Sequence, residues 1–231
     1  MKKIMAAVCL MSAMGLTQAG LIAYWNFNDT AYTTPSSGTA TLDLSGASGA
    51  CQSSDGGTTQ NALNKDSGLK TLLIAGGNGQ TVVFSLSMSG LQNLQLSYAT
   101  VKSTTGFNQQ VWSYSTDDST FTAQATISGD ASIPPYSSGP VSSDYAVDTV
   151  SFSSITALNN NSTIWIKLAL NEGTGGSDRF DNIQFNADVS AVPEPVETGA
   201  IAVTGLLGLC TLHEWRQHRA GRKAEGQKLE S

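Results

Sequence analysis

Apolar and polar residues alternate with a period of two through much of the chain between positions 20 and 192. Val82, Phe84, Leu86 and Met88 take every second position of one segment. Leu94, Leu96 and Tyr98 do so in the next, and Ile164, Ile166, Leu168 and Leu170 in a third. Side chains along a strand point to alternate faces, so each set predicts a strand with one buried face. Leu21, Ala23, Trp25 and Phe27 share a parity, as do Phe121, Ala123, Ala125 and Ile127, and Ile183 with Phe185. The pattern predicts strands over 21–27, 69–75, 80–88, 91–101, 109–115, 120–127, 145–152, 163–170 and 180–187, with a short one at 41–44. Turn residues separate them, among them Gly76-Gly77-Asn78-Gly79, Ser89-Gly90, Thr116-Asp117-Asp118-Ser119 and Ser128-Gly129-Asp130. Residues 45–68 read as a long polar loop and 155–158 as a single helical turn. Many short strands without a helical period predict an all-β fold, an antiparallel β-sandwich over 20–191.

Both ends depart from this pattern. Met1-Lys2-Lys3 precedes an apolar run from Ile4 to Leu16, followed by Thr17-Gln18-Ala19-Gly20. A basic start, an apolar middle and small residues describe a secretory signal peptide, 1–19, cut after Ala19, with Gly20 the alternative. At the other end Val192-Pro193-Glu194-Pro195 leads into an uncharged run over 199–212. A basic cluster with Arg216, Arg219, Arg222 and Lys223 follows, then a polar tail, 224–231. Two prolines bar helix and ladder, so the motif is extended and open to an enzyme. At ~1.5 Å per residue the apolar run covers about two thirds of a ~30 Å hydrocarbon core. Trp215 can anchor at the interface and the arginines can snorkel, giving a C-terminal transmembrane helix over 199–215 with the cluster 216–223 inside.

This arrangement resembles the PEP-CTERM sorting signal of bacterial exported proteins, here 192–223 with its motif at Val192, Pro193, Glu194 and Pro195. The resemblance implies that an exosortase-type transpeptidase removes the tail. The protein, held in the inner membrane until then, passes to the cell surface or extracellular matrix. Signal peptidase is the partner at the other end.

Between the two signals five cations (Lys65, Lys70, Lys102, Lys167 and Arg179) face twelve aspartates and Glu172, a net charge of −8. That argues against nucleic acid and anionic membrane surfaces as partners. Cys51 is the one cysteine of this stretch, so no internal disulfide forms there. Both histidines, His213 and His218, lie in the tail, which excludes Ser-His-Asp and Cys-His catalysis from the sandwich.

Residues 110–121, with Trp112-Ser113-Tyr114-Ser115-Thr116-Asp117-Asp118, resemble a hairpin common in secreted bacterial jelly rolls. Residues 155–168 and Arg179-Phe180-Asp181-Asn182-Ile183-Gln184-Phe185 resemble their closing strands. This implies a jelly-roll-like sandwich akin to carbohydrate-binding and lectin-like modules. Fold likeness alone assigns no function.

Asp29 follows Phe27 by two and Asp181 precedes Ile183 by two, so parity turns both inward at strand ends. Inward carboxylates are costly unless paired or metal-bound. Carbohydrate-binding jelly rolls often hold a structural Ca²⁺ near their first and last strands. Hard oxygen ligands suit that ion, and Asp29 and Asp181 with Asn28 or Asn182 form the candidate set. The alternative is that both aspartates cap turns at the rim. Asp117 and Asp118 read as turn residues.

Trp112 and Tyr114 share one strand face opposite Val111, and Trp165 lies opposite Ile164 and Ile166. Aromatic groups on a solvent face can stack on sugar rings. For Trp112 and Tyr114 the competing reading is the core; for Trp165, a covering loop. The resulting expectation is a non-enzymatic surface or matrix protein that binds extracellular polysaccharide. A secreted glycosidase-like sandwich and a purely structural matrix protein are the alternatives. A glycosidase needs two carboxylates at a set separation, and no pair stands out by spacing.

Overall fold

The period-two segments form strands in the computed structural model, which describes residues 19–54, 56–136 and 142–190. Residues 1–18 of the expected signal peptide, the Val192–Pro195 motif, the apolar run and the basic cluster lie outside the described residues. Among the described residues no helix is long and apolar enough to cross a membrane.

The strands of the described residues are β1 (Ala19–Trp25), β2 (Ser37–Gly38), β3 (Ala40–Asp43), β4 (Gly49–Ser53), β5 (Thr71–Ala75), β6 (Gln80–Leu86), β7 (Leu91–Ser103), β8 (Gln109–Ser115), β9 (Thr122–Ser128), β10 (Pro135–Tyr136), β11 (Ala146–Ser151), β12 (Ile164–Asn171) and β13 (Ser177–Val189). They build two sheets. The eight-stranded sheet runs β10-β7-β13-β1-β2, with β11 also on β7, β5 on β13, and β4 on β5. The five-stranded sheet runs β3-β6-β12-β8-β9. The long pair β7–β13 is antiparallel and forms the spine of the larger sheet. The short β10 runs parallel to the end of β7.

The core lies between the sheets. Val82, Phe84 and Leu86 from β6 and Ile164, Ile166, Leu168 and Leu170 from β12 meet Leu94, Leu96, Tyr98, Phe180, Ile183 and Phe185 from the larger sheet. Phe84 packs 5.3 Å from Trp25 and 5.1 Å from Phe185, and Trp112 packs 5.1 Å from Tyr98. Such tilted and edge contacts add about 0.5–1.5 kcal/mol per pair beyond burial of area. A buried polar chain also ties the sheets together. Trp112 Nε1 donates to Tyr98 Oη (2.9 Å), and Tyr98 Oη to Gln110 Oε1 (2.9 Å). Gln110 Nε2 donates to Asp178 Oδ2 (3.1 Å) and Phe107 N to Asp178 Oδ1 (2.8 Å).

Three departures from the alternation have one kind of cause. β9 pairs β8 with a register shift between Trp112 and Ser113. Ala125 and Ile127 pack on the core, but Ala123 is exposed. Phe121 leaves the predicted core face, and Lys167 Nζ stands 3.9 Å above its ring on the outer side. β13 shifts register between Asp181 and Gln184, where Asn182 has φ 50°. One extra residue at a bulge reverses the facing of everything beyond it. Asp181 therefore pairs with Ala99 on the outer face of the larger sheet, not with Ile183 on the core face. In the first strand, Phe27 has φ 54°, so extended parity does not carry on to Asp29.

The long polar loop 45–68 contains β4 and a short 3₁₀ turn, Leu63–Lys65. β4 has no apolar alternation and exists through its ladder to β5, with Cys51 opposite Leu73. The helical turn expected at 155–158 is a 3₁₀ turn at Thr156–Leu158, with Leu158 buried.

Candidate functional site

The outer face of the five-stranded sheet is set by the alternation on β12. Because Ile164, Ile166, Leu168 and Leu170 are buried, Trp165, Lys167, Ala169 and Asn171 face away from the core. Trp165 is half-buried, with Ser85 of β6 opposite it on one side and Ser115 of β8 on the other. Lys167 lies between Val83 and Ser113 and covers Phe121. The result is one half-buried indole beside the partly exposed Ser85, while Ser115 is buried and its hydroxyl donates to Asp117 Oδ1 at 2.8 Å. An apolar ring face beside a hydroxyl suits a sugar ring, which has apolar C–H faces and a polar rim.

Trp112 and Tyr114 are not part of that surface. Tyr114 pairs with Ile166 and Trp112 with Leu168, so both share the core face. Trp112 is fully buried and its indole N–H is taken by Tyr98; Tyr114 is partly buried against the core. The Trp112 ring is therefore not free to stack on a ligand. Ser85, Ser115 and Lys167 carried no signal of their own in the sequence, and Phe121 read there as a core residue. Strand register brings the serines to Trp165, and the β9 bulge brings Phe121 to Lys167.

The four residues of the expected metal set divide into different jobs. Asp181 is buried, with Oδ2 accepting the N–H of Thr58 and Oδ1 that of Asn182, both at 2.8 Å. Burial dominates its titration and pushes the carboxyl up to about 8. Asn182 accepts the Tyr24 hydroxyl at 2.6 Å and donates to the carbonyls of Thr58 (2.7 Å) and Gln60 (2.8 Å). Asn28 donates to the Ser67 carbonyl (2.7 Å) and accepts the N–H of Lys70 (3.0 Å). These three side chains fasten the 56–70 segment to the sheet. Asp29 is exposed and faces a cleft of ≈ 430 Å³ with Tyr24, Asn26, Ser36, Asn64 and Asp66. No group of three or more His, Cys, Asp or Glu able to hold a metal occurs among the described residues. Asp181 is thus engaged by backbone N–H groups, while Asp29 stands on the cleft.

Asp117 caps its turn, accepting the N–H groups of Ser119 (2.9 Å) and Thr120 (2.8 Å). Those donors hold its carboxyl well below the usual range. Glu172 is exposed and accepts Gln109 Nε2 at 2.9 Å.

No protein-family model matches the sequence, and no curated protein does either. Among solved structures the chain is similar to a cleaved adhesin domain of Lys-gingipain from Porphyromonas gingivalis, at 11% identity and a TM-score of 0.44, over 73% of this chain and 99% of that one. It is similar to a xylan-binding domain from Paenibacillus barcinonensis at 12% identity and a TM-score of 0.41, over 76% and 99%. A third is a carbohydrate-binding module in complex with β-1,4-galactotriose, at 6% identity and a TM-score of 0.38, over 63% and 86%. At these scores the likeness says nothing about what this chain binds.

Proposed function

We propose that this chain is an exported, non-enzymatic protein of the cell surface or extracellular matrix, whose jelly-roll-like sandwich binds polysaccharide. The observation that carries the binding is Trp165, half-buried and facing away from the core with Ser85 opposite it. The export reading rests on sequence: an N-terminal signal peptide, then Val192-Pro193-Glu194-Pro195, an apolar run and arginines. Signal peptidase acts at the first, an exosortase-type transpeptidase at the second, and the inner membrane holds the chain between the two steps.

The binding test compares wild type with Trp165→Ala by electrophoresis through gels containing neutral polysaccharides. Retardation weakened in the variant, with an unchanged melting curve, supports the reading; equal retardation of both proteins ends it. For sorting, Pro193-Glu194-Pro195 is replaced by alanines and surface protein is examined by mass spectrometry. Wild-type surface protein still ending at Ser231 would make this a plain tail-anchored protein.

The calcium expectation is retained in altered form. Asp29 and Asp66 both line the ≈ 430 Å³ cleft, where Asn26 Nδ2 donates to Asp66 Oδ2 and the Ser36 hydroxyl donates to Asn26 Oδ1, and hard carboxylate oxygens suit Ca²⁺. An ion bound only by the folded state raises the melting temperature. No change on adding Ca²⁺ or a chelator rejects it.

A further inference from the structure

The outer face of the eight-stranded sheet carries a second concave surface. One end of that face is covered: Ala99, Val101 and Tyr145 form a small apolar cluster there, with Tyr136 packed on it. The other end is open, a groove of ≈ 540 Å³ whose lining includes Asn61, Gln95, Ser97, Thr149, Asn186 and Asp188. Its floor is a product of register. Ser97 pairs with Thr149 on β11 and Gln184 on β13, and Gln95 with Ser151 and Asn186. Leu96, Val150 and Phe185 take the opposite face, so this row of amides and hydroxyls cannot turn inward.

One wall is held rigidly. Asn61 Nδ2 donates to the Asn182 carbonyl (2.7 Å) and to Ser97 Oγ (3.1 Å), and Gln184 Nε2 donates to the Asn61 carbonyl. At the far end Asn93 Nδ2 donates to Asp188 Oδ2 at 2.9 Å. In the floor, by contrast, the side chains of Gln95, Thr149 and Asn186 make no hydrogen bond to protein among the described residues. The groove thus offers a fixed frame around unengaged donor–acceptor groups.

Its chemistry selects a class of occupant. Among the described residues no Lys or Arg lines it, and Asp188 is its one ionisable group. A polyanion finds no countercharge there. The two apolar residues among its described lining, Leu96 and Ala187, are buried. A neutral polyhydroxylated chain fits: each primary amide presents a donor and an acceptor side by side, as vicinal hydroxyls require. We infer that this groove is a saccharide site separate from Trp165, and that the domain bridges two neutral polysaccharide chains.

The geometry of bridging follows from the sandwich. Trp165 lies on the outer face of one sheet and Gln95 on the outer face of the other, so one saccharide segment cannot cover both. Two weak sites on one rigid body give strong retention on a polymer, because the second contact forms at high effective concentration. This inference rests on the Trp165 reading for its second site, and the experiment separates the two.

The full chain is run in affinity gels containing hydroxyethyl cellulose, galactomannan, dextran or alginate, and mixed with beads coated in each polymer. Trp165→Ala, the pair Gln95→Ala with Asn186→Ala, and all three together are compared with wild type. The expected wild type is retarded by at least one neutral polymer and clumps the matching beads. Each single-face variant stays retarded, at least tenfold more weakly, and no longer clumps; the triple variant runs free. A groove variant that clumps and binds like wild type overturns the groove and leaves Trp165 standing. A Trp165→Ala protein indistinguishable from wild type, beside a groove variant that runs free, removes the Trp165 reading and with it the bridge. Clumping by both single-face variants would trace it to association between chains and overturn the bridge. Retardation by alginate alone overturns the neutral ligand class, and retardation by none of the four overturns both sites.

Discussion

The carboxylate of Asp181 accepts the backbone N–H of Thr58 at 2.8 Å, across 123 positions of sequence. Beside it, Asn182 binds the carbonyls of Thr58 and Gln60 and the hydroxyl of Tyr24. Two adjacent residues at one bulge thus clasp the 56–66 segment to the sheet, and that segment supplies Asn61 to the groove wall.

Replacing Asn182 tests the clasp. Ala removes three hydrogen bonds and must also adopt φ 50°. We expect a loss of about 2–4 kcal/mol in urea denaturation, with earlier proteolytic cutting within 56–66. Asn182→Gly keeps the backbone easy and loses the bonds alone, so it should fall between wild type and Ala. An Ala variant as stable as wild type would show that the clasp contributes nothing.

Acidification should stabilise the protein. Burial pushes Asp178 up to about 7, Asp181 up to about 8 and Asp148 up to about 6. An unfolded aspartate titrates near ~3.9. Between these values the folded state holds protons that the unfolded chain releases, so stability falls as pH rises from about 4 to about 8 and levels off above. Thermal melts at pH 5 should lie several degrees above those at pH 8, and Asp181→Asn should flatten the upper part of that profile. A higher melting temperature at pH 8 contradicts the assignment.

The two tryptophans of adjacent strands should behave oppositely. Trp112→Phe strands the Tyr98 oxygen without its donor and opens space in the core, costing about 1–3 kcal/mol. Trp165→Ala lies on an outer face and should change stability by no more than about 0.5 kcal/mol. Chemical denaturation of both variants checks the contrast; equal losses would place Trp165 in a structural role.

Gly57 and Gly68 pass back to back. A Cβ on Gly57 would lie 2.5 Å from the Gly68 carbonyl carbon, and one on Gly68 2.5 Å from the Thr58 nitrogen. Both obstacles are backbone, so neither can swing aside. Gly57→Ala should destabilise by more than about 1 kcal/mol and lower the melting temperature measurably. An unchanged melt would mean that the crossing adjusts freely.

Alternation alone made the core faces of β6, β7 and β12 legible, because a strand with one buried face must repeat every two residues. It also put Trp165 outside, since its neighbours Ile164 and Ile166 could not both be wrong. The same rule failed for Phe121, Asp29 and Asp181. A bulge or a positive φ shifts parity by one residue and leaves no mark in an apolar–polar pattern. β4 was invisible for a different reason: its residues become a strand only when β5 supplies the ladder. The groove was likewise unreadable from Gln95, Thr149 and Asn186, which are ordinary polar strand residues in sequence. Pairing across β11, β7 and β13 sets them in one row, and pairing between distant strands is a property of the folded chain that no local spacing encodes.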